Sequence, residues 1–118
     1  MIGTSRAVRV FARNSPTDLR KGFDGLYSLV IHELGQDPLK GDLYLFINAR
    51  RTSAKVLLWD GTGLCIYAKR LCRKRFSKLW QDASQGHPLR LTSAELHLFL
   101  EGADIAPRLP ISPEEVRT

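Results

Sequence analysis

The stretch Ala54–Leu71, AKVLLWDGTGLCIYAKRL, decides the fold of this chain. It begins with the apolar run Ala54–Trp59, continues through the polar and glycine-rich segment Asp60–Gly63, and ends with the apolar run Leu64–Leu71. Glycine readily adopts the positive φ that tight hairpin turns require. The stretch therefore predicts two antiparallel strands joined by a tight turn.

The position of the turn also predicts which residues of the two strands face each other. A turn centred on Gly61 and Thr62 sets one register. The predicted pairs are Trp59 with Leu64, Lys55 with Ala68, Ala54 with Lys69, and Ser53 with Arg70. In this register the end of the second strand lies beside the polar loop Ala49–Ser53.

Strand patterns continue on the N-terminal side of this hairpin. Leu43–Asn48, LYLFIN, is almost continuously apolar and predicts a strand that completes a three-stranded antiparallel meander. Ala7–Arg13 alternates around Val8 and Val10 and predicts a first strand. For Phe76–Trp80 both a short helical turn and a strand fit the pattern.

A first helix is predicted between the first strand and the meander. Ser15–Asp18, SPTD, resembles a helix start, because serine can cap and proline suits the first helical position. Two interior glycines, Gly22 and Gly25, disfavour helix and move its regular part to about Lys21. Gly35 ends it. One face carries the apolar residues Leu19, Phe23, Leu26, Val30 and Leu34.

A second helix follows Thr92–Glu95, TSAE, which is a capping box in which each end residue bonds the backbone N–H of the other. Leu91 and Leu96 stand at the positions of a hydrophobic staple, and Gly102 ends the helix. The predicted fold is α+β, in the order strand, helix, three-stranded antiparallel meander, C-terminal helix. Residues 1–106 form one domain, and 107–118 form a loose tail.

Positive charge is concentrated in one quarter of the chain. The chain has 18 Lys and Arg residues, 12 Asp and Glu residues and a net charge of +6. Nine of those 18 basic residues lie between Arg50 and Lys78, against the single acid Asp60. A near-neutral body with one cationic segment predicts a polyanionic partner, and Arg suits bidentate phosphate contacts. The residues expected to bind nucleic acid are Arg50, Arg51, Lys55, Lys69, Arg70, Arg73 and Arg75.

Aromatic residues among these charges admit two interpretations. Tyr67, Phe76 and Trp80 are predicted either to stack on bases or to fill the core, and core packing is favoured for Trp59. A purely solvated charged surface is the simplest alternative for the basic segment itself.

No motif for catalysis or metal binding is found. The nucleotide-binding and hydrolase motifs with defined spacing are absent. Asp60 is expected to begin the hairpin turn and Asp18 to lie at the helix start, while Asp24 is expected to face solvent or to pair with Arg20. Because no two carboxylates occupy adjacent, well-defined positions, a nuclease is not favoured. We expect no enzyme activity, cofactor or metal. The histidines, His32, His87 and His97, share no ligand spacing.

The sequence also predicts the cellular compartment and the redox state of the two cysteines. The N-terminus has no apolar signal segment and no run approaches the length of a membrane span, so the expected location is the cytoplasm without membrane association. Cys65 and Cys72 are expected to be reduced thiols. The basic neighbours of Cys72 would favour its thiolate.

Several segments resemble one known family. Pro16–Leu26, PTDLRKGFDGL, and Lys55–Leu64, KVLLWDGTGL, are the longest, and Lys69–Leu71 and Arg75-Phe76 add to them. The chain resembles the small accessory protein of IS66-type insertion sequences, the second open reading frame product labelled TnpB, over about residues 8–104. It departs from the family pattern after Leu71.

The resemblance implies an accessory role in transposition beside a separate transposase, and no catalytic residue. The pairs Arg20-Lys21, Arg50-Arg51 and Lys69-Arg70 match family positions, which adds Arg20 and Lys21 to the expected contacts. The leading hypothesis is a non-enzymatic protein that binds nucleic acid, in particular duplex DNA at element ends. The alternative is a protein-interaction module that docks the transposase or another accessory protein. The oligomeric state is left open.

Overall fold

The computed structural model describes residues 7–80 and 87–105, and these contain five strands and two helices. In chain order they are β1 (Val10–Ala12), α1 (Phe23–His32), β2 (Leu43–Ile47), β3 (Ser53–Trp59), β4 (Leu64–Arg70), β5 (Leu89–Leu91) and α2 (Ser93–Leu100). A 3-10 turn, Pro38–Lys40, precedes β2. The predicted α+β class with a C-terminal helix is confirmed.

The strands form one mixed sheet in the order β4-β3-β2-β1-β5. The β2-β3-β4 part is the predicted antiparallel meander. β1 lies parallel to β2, with α1 in the connection between them, and antiparallel to β5. The sequence patterns did not reveal strand β5 or the position of strand β1 between β2 and β5. Each is three residues long, and a three-residue strand carries almost no periodicity.

The predicted register of the hairpin is confirmed at every pair. Trp59 faces Leu64, Lys55 faces Ala68, and Ser53 faces Arg70. Gly61 has a φ of 106°, which is the conformation expected of a turn glycine.

The first helix begins later than its capping pattern suggested. α1 starts at Phe23 after Gly22, whose backbone position receives no side-chain cap, so Ser15 is not a helix cap. The preceding segment is held instead by the N–H of Thr17, which donates to the carbonyl of Ile47 at 2.8 Å. Phe23 is therefore at the first turn and half exposed, while Leu26 and Val30 form the buried face.

The two faces of the sheet carry two separate apolar clusters, one under each helix. The cluster on the α1 side contains Leu26 and Val30 from the helix and Phe11, Tyr44 and Leu57 from the sheet. The rings of Phe11 and Tyr44 stack with centroids 5.8 Å apart. This cluster fixes α1 over the centre of the sheet.

The cluster on the α2 side includes a segment without regular structure. Phe76 and Leu79 are fully buried there, and the Phe76 ring stacks on Phe99 of α2 with centroids 4.9 Å apart. The segment 76–80 is thus neither a helical turn nor a strand, and burial excludes base stacking by Phe76. Trp80 packs against the same cluster, as the core interpretation predicted.

The second helix starts as predicted. Glu95 N–H donates to Thr92 Oγ1 at 3.0 Å, and Thr92 N–H donates to the Glu95 carboxylate at 2.7 Å, which completes the capping box. Leu91 and Leu96 are both buried, and Gly102 has a positive φ of 91° after the helix. The predicted tail, residues 107–118, lies outside the described residues.

Candidate nucleic-acid interface

The hairpin places basic residues from distant parts of the sequence at one end of the sheet. Ser53 faces Arg70, and the N–H of Leu71 donates to the carbonyl of Thr52 at 2.9 Å. The loop 48–53 therefore lies directly beside the end of β4. Its residue Arg50 is exposed, and so is Arg70 across the hairpin.

Asn48 organises the loop that carries Arg50. Its Oδ1 accepts hydrogen bonds from the N–H groups of Thr52 and Ser53 at 2.9 and 3.0 Å, and its Nδ2 donates to Thr52 Oγ1 at 3.0 Å. The N–H of Arg51 donates to the Asn48 carbonyl at 3.0 Å. This role of Asn48 was not predicted, although an asparagine directly after a strand favours a turn of this kind.

Arg51 has a structural role that its neighbour Arg50 lacks. Its Nη1 donates to the carbonyl of Phe76 at 3.0 Å, and its own carbonyl accepts from the N–H of Phe76 at 2.6 Å. Its backbone adopts a φ of 60°, an uncommon conformation for a residue other than glycine. Arg51 thus ties the loop to the buried segment around Phe76 and is only half exposed.

A cleft of about 920 Å³ separates the Arg50 loop from the segment that precedes α1. Arg20 lines this cleft, but its guanidinium is paired with Asp18, with Nη2 and Oδ2 2.7 Å apart. The Arg20 side chain and N–H hold the pKa of Asp18 well below its usual range, so the carboxylate stays charged and cancels the charge of Arg20. Arg20 therefore adds little positive charge.

A second cleft of about 340 Å³ continues from the first, because Leu19 and Ser53 line both. Lys55 and Arg70 line it on the α1 side of the sheet. Lys55 Nζ donates to the carbonyl of Lys21 at 3.0 Å, so Lys55 fastens the segment before α1 to the sheet. Lys21 is exposed and contributes its backbone carbonyl to this contact.

Lys69 belongs to the other face of the sheet. Side chains alternate between faces along a strand, and Lys69 pairs with Ala54, which is buried on the α2 side. Lys69 also lines an apolar groove of about 330 Å³ together with Tyr67, Leu96 and Leu100. The predicted basic residues thus share one end of the sheet but divide between its two faces.

The segment after β4 brings three further charges to this end. Arg73, Lys74 and Arg75 are exposed between Leu71, bonded to Thr52, and Phe76, bonded to Arg51. The side chain of Lys74 covers Gly102, where an added Cβ would lie 2.9 Å from Lys74 Cε.

We call the solvent-accessible basic residues at this end of the sheet the cationic end. Its members are Arg50, Lys55, Arg70, Arg73 and Arg75. In the part of the chain that the structure describes, none of them takes part in a salt bridge. Arginines without an acidic partner keep their donors available for an external anion.

Asp18 is the carboxylate that lines the first cleft together with Arg50, and it is paired with Arg20. Asp24 is exposed, and Asp60 lies at the opposite end of the hairpin. There the N–H groups of Thr62 and Gly63, the Thr62 hydroxyl and the Cys65 thiol lower the pKa of Asp60 to about 2. Burial and the nearby Asp60 raise the pKa of Cys65. Within residues 7–80 and 87–105, no three His, Cys, Asp or Glu side chains could hold a metal ion.

The model of the protein family described as "IS66 Orf2 like protein" matches residues 8–109. The chain belongs to this family. IS66 Orf2-like proteins are encoded by insertion sequences, and membership implies an accessory role in transposition. The family is not known to be catalytic.

Two curated relatives of this IS66 Orf2-like protein come from Sinorhizobium fredii. The uncharacterized protein y4hO is 36% identical over 104 residues, which cover 88% of this chain and 88% of the relative. The uncharacterized protein y4jC is 33% identical over 104 residues, which cover 88% of this chain and 86% of the relative. No solved structure matches the chain. Neither described helix is long and apolar enough to cross a membrane.

Proposed function

We propose that this IS66 Orf2-like protein assists transposition by binding duplex DNA through the cationic end. One observation carries the proposal: the pairing of β3 with β4 brings exposed arginines from three chain segments together at one end of the sheet. Arg50 comes from the loop before β3, Arg70 from the end of β4, and Arg73 and Arg75 from the segment that follows.

Charge and side-chain chemistry support a phosphate backbone as the ligand. Asn48 holds the backbone of the Arg50 loop through hydrogen bonds within the loop, so the exposed Arg50 side chain is not needed to shape it and can make external contacts. Guanidinium groups bind phosphate oxygens in a bidentate manner and are weakly hydrated. A duplex presents such phosphates at regular spacing, without requiring a deep pocket.

We propose two different roles for the basic residues at this end of the sheet. Arg50, Arg70, Arg73 and Arg75 are the expected phosphate contacts. Arg51 and Lys55 hold the loop and the segment before α1 through carbonyl groups. Their loss would weaken binding by displacing the surface rather than by removing a phosphate contact.

Fluorescence anisotropy with a labelled DNA duplex, repeated at several salt concentrations, tests the proposal. We expect affinity to fall steeply with salt, by a slope of about 0.9 in the logarithm for each phosphate contact. The variant Arg50→Gln/Arg70→Gln should reduce that slope by roughly two contacts. Lys40→Gln removes a charge from the 3-10 turn that precedes β2, toward the turn end of the hairpin, and serves as the control.

Two results would contradict the proposal. One is absence of binding by the wild-type protein at low salt. The other is a loss per removed charge that is equal in Lys40→Gln and in Arg50→Gln/Arg70→Gln, which would show that only the net charge matters.

A second candidate function is docking of the transposase by the α2 side of the hairpin. The apolar groove beside Lys69, lined also by Leu58 and Leu100, favours a protein partner because apolar surface does not bind phosphates. Co-purification with the transposase that survives nuclease treatment and is lost in Leu100→Asp, but not in Arg50→Gln, would establish this function in place of DNA binding.

A further inference from the structure

β4 forms one edge of the sheet within the described residues. It pairs with β3 and with no other described strand. It is seven residues long and contains no proline, and its pairing with β3 is regular from Leu64 to Arg70. Such an edge presents a row of backbone donors and acceptors to another strand.

The hydrogen bonds at the two ends of the hairpin show which groups point outward. Asp60 N–H donates to the Gly63 carbonyl at 3.1 Å, and Leu71 N–H donates to the Thr52 carbonyl at 2.9 Å. In an antiparallel pair, bonded and non-bonded residue pairs alternate. The residues of β4 whose N–H and C=O groups face away from β3 are therefore Leu64, Ile66, Ala68 and Arg70.

We propose that β4 pairs antiparallel with β4 of a second copy of this chain, about a two-fold axis at Tyr67. In this register Leu64 bonds with Arg70 of the other copy, and Ile66 bonds with Ala68. Every outward backbone group of the strand is then used, in roughly eight inter-chain hydrogen bonds. A shift of two residues in either direction would leave an outward residue at each end unpaired.

The side chain at the proposed axis fits this arrangement. Tyr67 is 49% exposed, which is unusual for a large aromatic residue in the middle of a strand. In the dimer Tyr67 lies opposite Tyr67 of the other copy at a non-bonded position, where side chains come closest. Aromatic pairs across strands stabilise sheets, so the pairing would bury two half-exposed rings against each other.

Charge complementarity identifies a second copy as the occupant. Asp60 Oδ2 lies 3.5 Å from Cys65 Sγ, so the acid is at the Cys65 end of β4, and Lys69 is at the other end of the same face. Antiparallel pairing about Tyr67 places Cys65 opposite Lys69 of the other copy. Each Lys69 ammonium then comes near an Asp60 carboxylate, twice per dimer.

The dimer would present two cationic ends on one particle. Arg70 is three residues from Tyr67, so the two Arg70 residues would be roughly 20 Å apart along the strands. The dimer does not depend on DNA binding, since its contacts are backbone groups, Tyr67 and Lys69. It also gives an acidic partner to Lys69, which pairs across the hairpin with Ala54 on the α2 side of the sheet.

Light scattering coupled to size exclusion measures the mass of the full chain without DNA. We expect wild-type protein at micromolar concentration to have twice the 13.3 kDa of one chain. Ala68→Pro removes one outward N–H while the bonds to β3 remain, because proline is tolerated where its nitrogen faces away from the partner strand. This variant should be a monomer with an unchanged circular dichroism spectrum, whereas Ala68→Ser should stay dimeric.

A disulfide cross-linking experiment tests the dimer even if Ala68→Pro fails to fold. In a Cys65→Ser/Cys72→Ser background, Tyr67→Cys places a thiol on the two-fold axis, within bonding range of its copy. Mild oxidation should yield a covalent dimer. Leu98→Cys, at a residue of α2 that is 48% exposed, is the control and should stay monomeric.

Three outcomes would overturn the dimer. They are wild-type protein that stays monomeric at millimolar concentration, a folded Ala68→Pro that stays dimeric, or equal cross-linking of Tyr67→Cys and Leu98→Cys. A monomer whose β4 amides resist hydrogen exchange would show that another segment of the same chain covers the edge. DNA binding that fails while the dimer persists would contradict the proposed function alone.

Discussion

At each of the two ends of the β3-β4 hairpin, one side chain accepts hydrogen bonds from successive backbone N–H groups, but the two side chains differ in charge. At the turn end, the Asp60 carboxylate accepts from the N–H groups of Thr62 and Gly63, both at 2.9 Å. At the cationic end, the Asn48 amide accepts from two N–H groups of its own loop at 2.9 and 3.0 Å. Both side chains bind successive backbone donors, but only one of them carries a charge.

The difference shows how a cationic surface can be kept free of internal anions. An aspartate at position 48 would make the same backbone contacts, yet it would sit beside Arg50 and reduce its attraction for phosphate. The neutral amide shapes the loop and leaves its charge unopposed. At the turn end no basic side chain needs to be kept free, and an anion is used.

The largest effect is expected from breaking the support beneath the cationic end. Phe76→Ala removes a fully buried ring that stacks on Phe99 and should cost about 3–5 kcal/mol of unfolding free energy. Urea denaturation measures it. Phe23→Ala, at a half-exposed position, is the matched control and should cost far less. Similar losses in both variants would contradict the assignment of Phe76 to the core.

Substitutions of the neighbouring residues Arg50 and Arg51 should differ in their effect on the free energy of unfolding, and not only in their effect on DNA binding. Arg51→Ala leaves the Phe76 carbonyl without its guanidinium donor and should cost about 1–3 kcal/mol. Arg50→Ala removes an exposed side chain and should change the unfolding free energy by less than about 0.5 kcal/mol. Denaturation of the two variants side by side tests this, and equal losses would show that Arg51 has no special structural role.

Replacing the amide of Asn48 by a carboxylate, and the carboxylate of Asp60 by an amide, should affect DNA binding differently at the two ends of the hairpin. Asn48→Asp keeps the acceptor and adds an anion beside Arg50, so duplex affinity should fall roughly tenfold, or about 1.4 kcal/mol. Asp60→Asn also keeps the acceptor and should leave duplex affinity nearly unchanged. Anisotropy titrations at one salt concentration compare them. An equal response at both ends would indicate that only total charge governs binding.

The smallest effect concerns pH at the turn end. The pKa of Asp60 is lowered from 3.8 to about 2, so its contribution to stability is present above about 3.8 and is lost as the pH falls through about 2. Wild-type protein should therefore lose more stability than Asp60→Asn on acidification across this range. Thermal unfolding at several pH values measures it. Asp18, whose pKa is also lowered, acts in the same direction, so the comparison is best made in an Asp18→Asn background.

The features that local chemistry decides could be predicted from the sequence. The hairpin register follows from the turn residues alone, and the capping box at Thr92 requires only its own four residues. The gathering of basic residues at one sheet end follows from that register. The face to which Lys69 belongs could also have been predicted, because alternation along β3 and β4 places it with Ala54.

The remaining features depend on contacts between distant segments. β5 is a strand only because β1 pairs with it, and the irregular segment at Phe76 is buried only because Phe99 and the sheet enclose it. The structural role of Arg51 depends on a carbonyl 25 residues later in the chain. No periodicity within either segment indicates these partners.

The interior position of β1 has a consequence for how the chain folds during synthesis. The first strand lies between β2 and β5, and β5 ends at Leu91. A nascent chain can form the meander early, but the sheet stays open along β1 until Leu91 has left the ribosome. A product that terminates before β5 would leave one edge of β1 without its partner strand, so truncated copies of such a gene would encode aggregation-prone fragments rather than smaller working domains.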